Sequence, residues 1–182
     1  MNFKIKLKAF FLRKITYKKN IPFDNKKLRK ILIFRYDRIG DMVVTTPFIS
    51  ALKKSFPRSK LIILASEANA EVLLKNQHVD KIKKYPKNIF LALICLFSLR
   101  KERIDLLIDL NHSIIWRAIL EIILIKPVWV VSPQKGSRYG VSGTSLGLYD
   151  IQGNADVNQP LSLVYLNLIY SLKPRILKFN NH

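Results

Sequence analysis

Lys30-Ile31-Leu32-Ile33-Phe34-Arg35-Tyr36-Asp37-Arg38-Ile39-Gly40-Asp41 decides how this chain folds. Its first part is a short β-rich apolar run, the pattern of a strand buried on both faces of a parallel sheet. A polar turn follows, and then Phe48, Ile49, Leu52 and Phe56 recur at helical spacing up to Pro57. Thr45 and Thr46 stand where a helix cap is expected, and Pro47 falls in the first turn, where its missing N–H is tolerated. The unit is strand, loop, helix.

The unit repeats. The pattern predicts strands over residues 61–65, 81–85, 104–110 and 128–131, and helices over 68–74, 88–101 and 113–125. Such alternation implies a parallel sheet with right-handed crossovers, so the expected fold class is α/β, a Rossmann-like parallel sheet sandwich. Gly, Ser, Asn and Asp dominate residues 134–159, which read as a long loop of the kind that usually carries function, and 160–172 as a closing helix. The chain divides into a basic amphipathic arm over 1–29, one domain over 30–174 and a polar tail over 175–182.

Composition narrows the function classes. The 182 residues are 49% hydrophobic, which excludes a disordered chain, and their length suits one domain. Cys95 is the single cysteine, so no intrachain disulfide can form and a reducing compartment is implied. The three histidines, His78, His112 and His182, lack metal-ligand spacing, and no metal is expected.

The net charge is +20, and residues 1–30 hold eleven basic groups against Asp24 alone, so that end should meet an anionic partner. Phe3, Leu7, Phe10, Phe11 and Lys14 can share one helical face among lysines, the pattern of a segment lying in a headgroup layer; a solvated basic tail is the alternative. No apolar run reaches the roughly 20 uncharged residues a membrane span needs. Neither helix-turn-helix spacing nor an RNP-like strand is visible, so nucleic acid is not the expected partner.

In an open parallel sheet, ligands sit beyond the carboxyl ends of the strands, and the loop after the first strand is the foremost contributor. Here that loop, residues 35–41, lacks both the dinucleotide fingerprint and the Gly-Lys-Ser/Thr of a phosphate loop. It offers Asp41, directly after Gly40 at a helix mouth and near Arg35 and Arg38. A helix N-terminus and nearby cations keep a carboxylate ionised, which suits a proton acceptor. The competing reading is a helix cap. His112 reads as a strand-end histidine bonded to backbone, with a place lining the cleft as the alternative, and Trp116 and Trp129 read as core.

Residues 31–47, with Gly40-Asp41 separated from Pro47 by five residues, then Ala51-Leu52-Lys53, Phe56-Pro57, residues 76–82 and residues 105–112, resemble glycosyltransferase family 9, the heptosyltransferases of lipopolysaccharide core assembly. The resemblance runs over about residues 29–172. It implies the N-terminal half of a GT-B fold, with the second, donor-binding domain absent from these residues. It further implies an inverting, metal-independent transfer without a cofactor, from a nucleotide-sugar co-substrate of the ADP-heptose type to a glycolipid acceptor. Asp41 would be the general base. Gly40 would let the acceptor approach closely, and Arg35, Arg38, Lys135 and Arg138 would face its phosphates or carboxylates. The expected setting is the inner face of the bacterial cytoplasmic membrane, with an anionic surface and a donor-binding domain or chain as partners. The alternative function is a non-catalytic basic module for a membrane surface or nucleic acid.

Overall fold

The computed structural model describes residues 10, 12, 21–138, 141–153 and 159–172. Six strands form one sheet: β1 (Lys30–Arg35), β2 (Lys60–Ala65), β3 (Lys81–Lys84), β4 (Leu106–Asp109), β5 (Trp129–Pro133) and β6 (Ile151–Gly153). All are parallel, in the order β3-β2-β1-β4-β5-β6. Ile33 pairs with Ile63 on one side and Ile108 on the other, so the apolar run of β1 is the sheet's centre. Among the described residues the sheet is covered by α1 (Ile39–Ser55), α2 (Glu67–Leu73), α3 (Ile89–Lys101), α4 (Trp116–Ile125) and α5 (Leu161–Leu172).

Strand alternation splits the core into two layers. Ile31, Ile33, Leu61, Ile63, Leu106 and Ile108 pack under α1, α2 and α5. Leu32, Phe34, Ile62, Leu64 and Leu107 pack under α3, α4 and the segment holding Leu146, Leu148 and Tyr149. This is the Rossmann-like α/β sandwich expected from the sequence.

Three local findings depart from the sequence reading. The first helix begins at Ile39, six residues ahead of the expected caps, so Pro47 lies in its interior. The carbonyl that Pro47 leaves without an N–H belongs to Val43, and the Thr46 hydroxyl donates to it at 2.8 Å. Thr45 bonds back to the Asp41 carbonyl at 2.6 Å. The two threonines therefore mend the helix instead of capping it.

Second, the long loop contains β6, a three-residue edge strand too short to show a period. Third, the arm is not separate from the domain over its described part. Leu12 is 2% exposed in the α3/α4 layer, Leu28 is buried, and Phe23 meets Trp129 edge-on with ring centroids 5.4 Å apart. Trp129 Nε1 donates to the Ile21 carbonyl at 3.3 Å. Phe10, on the amphipathic face expected over residues 3–14, is 52% exposed; the rest of that face lies outside the described residues, as does the tail over 175–182.

Candidate active site

In this strand order the chain reverses direction across the sheet between β1 and β4, which opens a crevice at their carboxyl ends. The end of β1, the loop after it and the first turn of α1 bring Arg35, Asp37 and Asp41 to that crevice, and the end of β4 with the loop after it brings Asp109, Asn111 and His112. Tyr165 of α5 enters from the side, its ring centroid 5.6 Å from that of His112.

Arg35 ties these pieces together. It is 3% exposed and donates to Asp37 Oδ2 (3.1 Å), Thr45 Oγ1 (3.0 Å), the Asp41 carbonyl (3.3 Å) and the Tyr165 hydroxyl (2.6 Å). The guanidinium is thus engaged inside the chain. The Tyr165 hydroxyl in turn lies 3.3 Å from His112 Nε2 and donates to the Leu110 carbonyl at 3.4 Å.

Asp41 occupies the first turn of α1, half-buried, while Arg38 holds the N-cap position and no side chain caps the helix. The capping alternative for Asp41 is therefore not the arrangement found. Its neighbour Asp37 has a carboxyl pushed above the usual range, by burial first and also by the charge of Asp41, against the pull of Arg35. His112 is pushed the other way, by burial and then by the nearby cations Lys135 and Arg35, which favours the neutral imidazole. The cluster thus sets Asp37, a carboxyl of raised proton affinity, and an imidazole biased toward its neutral form beside Asp41, an arrangement suited to moving a proton.

Gly40 is exposed, and a Cβ added there would meet nothing within 4 Å. Among the described residues no contact requires glycine at this position. Arg38 is also exposed at the rim, as is Arg138, whose Nη1 donates to the Ile114 carbonyl at 3.3 Å.

Lys135 lies below the site. Its ammonium is 0% exposed, 2.9 Å from Asp109 Oδ2, and also donates to the Asn111 carbonyl. A Cβ on Gly143 would fall 2.1 Å from the Lys135 carbonyl, so the loop can fold over the lysine only with glycine there.

A second polar group borders a cavity of about 310 Å³ lined by Tyr36, Ser66, Tyr85, Lys87, Ile89 and Arg117, among others. Arg117 lies over the rings of Tyr36 and Tyr85, at 4.7 and 4.6 Å. Buried Glu121 accepts from the Tyr36 hydroxyl at 2.6 Å, and its other oxygen is 3.0 Å from Arg117 Nε without an aligned hydrogen bond.

Burial raises the Glu121 carboxyl above the usual range, against its hydrogen bonds and Arg117. A carboxyl whose folded pKa is raised binds more protons folded than unfolded between the two values, so stability falls as pH rises through that window. Glu121→Gln is therefore expected to leave the melting midpoint equal or higher at neutral pH and to flatten its decline above the carboxylate range. A clear loss of stability at neutral pH would contradict this.

The sequence pointed to Asp41 and offered His112 as a cleft residue, but missed Asp37 and Tyr165 as their neighbours. Asp37 was visible two residues beyond Arg35. Tyr165 gave no signal, since a tyrosine in an apolar helix reads as core. Among the described residues no group of three His, Cys, Asp or Glu side chains could hold a metal ion, and no helix is long and apolar enough to cross a membrane.

The six-stranded parallel Rossmann-like sheet, with its polar cluster at the switch point, is a fold shared with solved glycosyltransferase structures. Among solved structures, the glycosyl transferase family 9 protein from Veillonella parvula DSM 2008 matches with a TM-score of 0.64 and 18% identity, over 85% of this chain and 43% of that one. ADP-heptose lipopolysaccharide heptosyltransferase II of E. coli matches with a TM-score of 0.62 and 20% identity, over 78% and 40%. The E. coli heptosyltransferase WaaC, solved with ADP-2-deoxy-2-fluoro heptose, matches with 0.63 and 12%, over 78% and 47%. At these identities the likeness is one of fold, and the chain spans less than half the length of each. No family model and no curated protein matches the sequence.

Proposed function

We propose that this chain is the acceptor-side domain of a heptosyltransferase-like enzyme acting on a glycolipid of the lipopolysaccharide-core type at the cytoplasmic face of the membrane. The observation that carries the reading is Asp41: a carboxylate at the switch-point crevice that caps no helix, set beside Asp37 and His112. In the proposed step Asp41 takes the proton of an acceptor hydroxyl as its oxygen bonds to the anomeric carbon of the donor sugar. The bond from that carbon to the donor's diphosphate breaks, and the nucleoside diphosphate leaves with the electron pair. The configuration at the anomeric carbon inverts.

The WaaC structures with ADP and with an ADP-heptose analogue support a nucleotide-sugar donor of that kind, held by a second domain or chain. Arg38 and Arg138, exposed at the rim, are the cations placed to meet acceptor anions. The nucleic-acid alternative finds no support among the structural matches.

Gly40 gives a test that separates ligand from fold. Gly40→Ala is expected to stabilise the helix by about 0.5–1 kcal/mol, because alanine loses less backbone entropy on folding. If an acceptor lies against that backbone, the same change weakens glycolipid binding measured by calorimetry. A variant that gains stability and keeps full affinity removes Gly40 from the site. Failure of the chain, combined with a donor-binding domain, to move labelled sugar from a nucleotide sugar to a core glycolipid would overturn the transferase reading itself.

A further inference from the structure

Helix α3 has no polar face. Its core side is Ala92, Leu96 and Leu99, and directly opposite, toward solvent, stand Phe90 (68% exposed), Ile94 (53%) and Phe97 (48%). Ile89 (80%), Leu91 and Leu93 widen the patch, and Leu120 is exposed on the adjoining α4. A helix apolar all round belongs in a buried or lipid setting. At 13 residues α3 is far short of a span, so it can only lie along a bilayer surface.

We infer that this face of α3 is a docking surface for an anionic lipid bilayer. The charge around it names the occupant. Lys87 precedes the helix, Arg100 and Lys101 close it, and Arg103 and Lys126 follow close by, all exposed. Every acidic group of residues 81–126 is engaged internally. Glu102 pairs with Lys81 and Lys83, Asp105 accepts the backbone N–H groups of Arg29 and Lys30, Asp109 pairs with Lys135, and Glu121 is buried beside Arg117. An apolar stripe flanked by unopposed cations is complementary to lipid tails below anionic headgroups.

The same geometry sets a depth. Ile89 belongs both to the exposed patch and to the wall of the 310 Å³ cavity beside Tyr36, Tyr85 and Arg117. With α3 in the surface plane, that cavity opens at headgroup level. The inference rests on the α3 surface and stands apart from the transferase reading.

The sequence assigned membrane affinity to the arm, and the two assignments separate in one experiment. Full-length protein is sedimented with vesicles of phosphatidylcholine alone or with phosphatidylglycerol added, at low and high salt. Binding to the anionic vesicles is expected, weakened but not abolished by salt. The pair Phe90→Ser and Ile94→Glu is expected to lower partitioning about tenfold or more, with the melting midpoint unchanged. Deleting residues 1–9, which keeps buried Leu12, is expected to cost less.

Phe97→Trp keeps the patch apolar and should show added tryptophan fluorescence quenched by brominated lipid. No vesicle binding by the wild type, unchanged binding of the double variant, release by the 1–9 deletion alone, or no added quenching would each overturn the proposal. So would a double variant that splits a dimer while vesicle binding persists, since a second copy would then cover the face.

Discussion

Asp41→Asn is expected to lower sugar transfer about 10²- to 10⁴-fold in the chain paired with a donor-binding domain, with folding and acceptor affinity nearly intact. The amide keeps the shape of the side chain but cannot take the hydroxyl proton. Because α1 has its N-cap at Arg38 and no side-chain cap bond, the Asp41 carboxylate supports the helix only through its first-turn charge, a contribution of about 0.3–1 kcal/mol. A loss of rate can then be assigned to proton transfer. Neighbouring Asp37 carries a raised carboxyl pinned by Arg35, so Asp37→Asn should relieve repulsion at Asp41 and change the pH profile more than the maximal rate. Measured kcat against pH for both variants checks this. Near wild-type turnover in Asp41→Asn would remove Asp41 as base.

Lys135→Met is expected to cost about 3–5 kcal/mol in chemical denaturation, the largest stability effect in the molecule, because it leaves a buried carboxylate without its counter-ion. Burial alone would raise the Asp109 carboxyl, but the Lys135 ammonium and the Asn111 donors outweigh it and hold Asp109 below the usual range. Asn111 Nδ2 donates to it at 2.6 Å and the Tyr149 hydroxyl at 3.0 Å. A carboxylate with a lowered folded pKa contributes stability that is complete above its unfolded value and lost as pH falls through the folded one. The wild type should therefore weaken on acidification, opposite in sign to the contribution of Glu121. Replacing both partners, as Asp109→Leu with Lys135→Met, should recover much of the loss, since two apolar groups need no solvation. A Lys135→Met chain as stable as the wild type would mean that the ammonium is hydrated.

The sheet was legible because its information is local. Ile31–Phe34, Leu61–Leu64 and Leu106–Ile108 each announce a doubly buried strand without reference to one another. Element boundaries were less so: Pro47 signalled a helix start, and only the Thr46-to-Val43 bond shows how the helix absorbs it. At the site, Gly40 and Asp41 stood out because adjacent residues carried the pattern. Tyr165 reaches Arg35 across 130 residues, a closeness that no local period encodes. Arg35 and Lys135 were read as ligand-facing because charge is visible in sequence while burial is not. In the fold they hold β1, α1, α5 and the loop after β5 in register.

The two borders of the sheet bear on solubility. β3 is Lys81-Ile82-Lys83-Lys84 and β6 is three residues long, so neither outer strand offers a long apolar ladder of free backbone groups. A second molecule adding there would set ammonium groups against ammonium groups, only partly neutralised by Glu102 and Glu67. The fold thereby resists growing into a continuous intermolecular sheet, even though four of its six strands are among the most apolar segments of the chain.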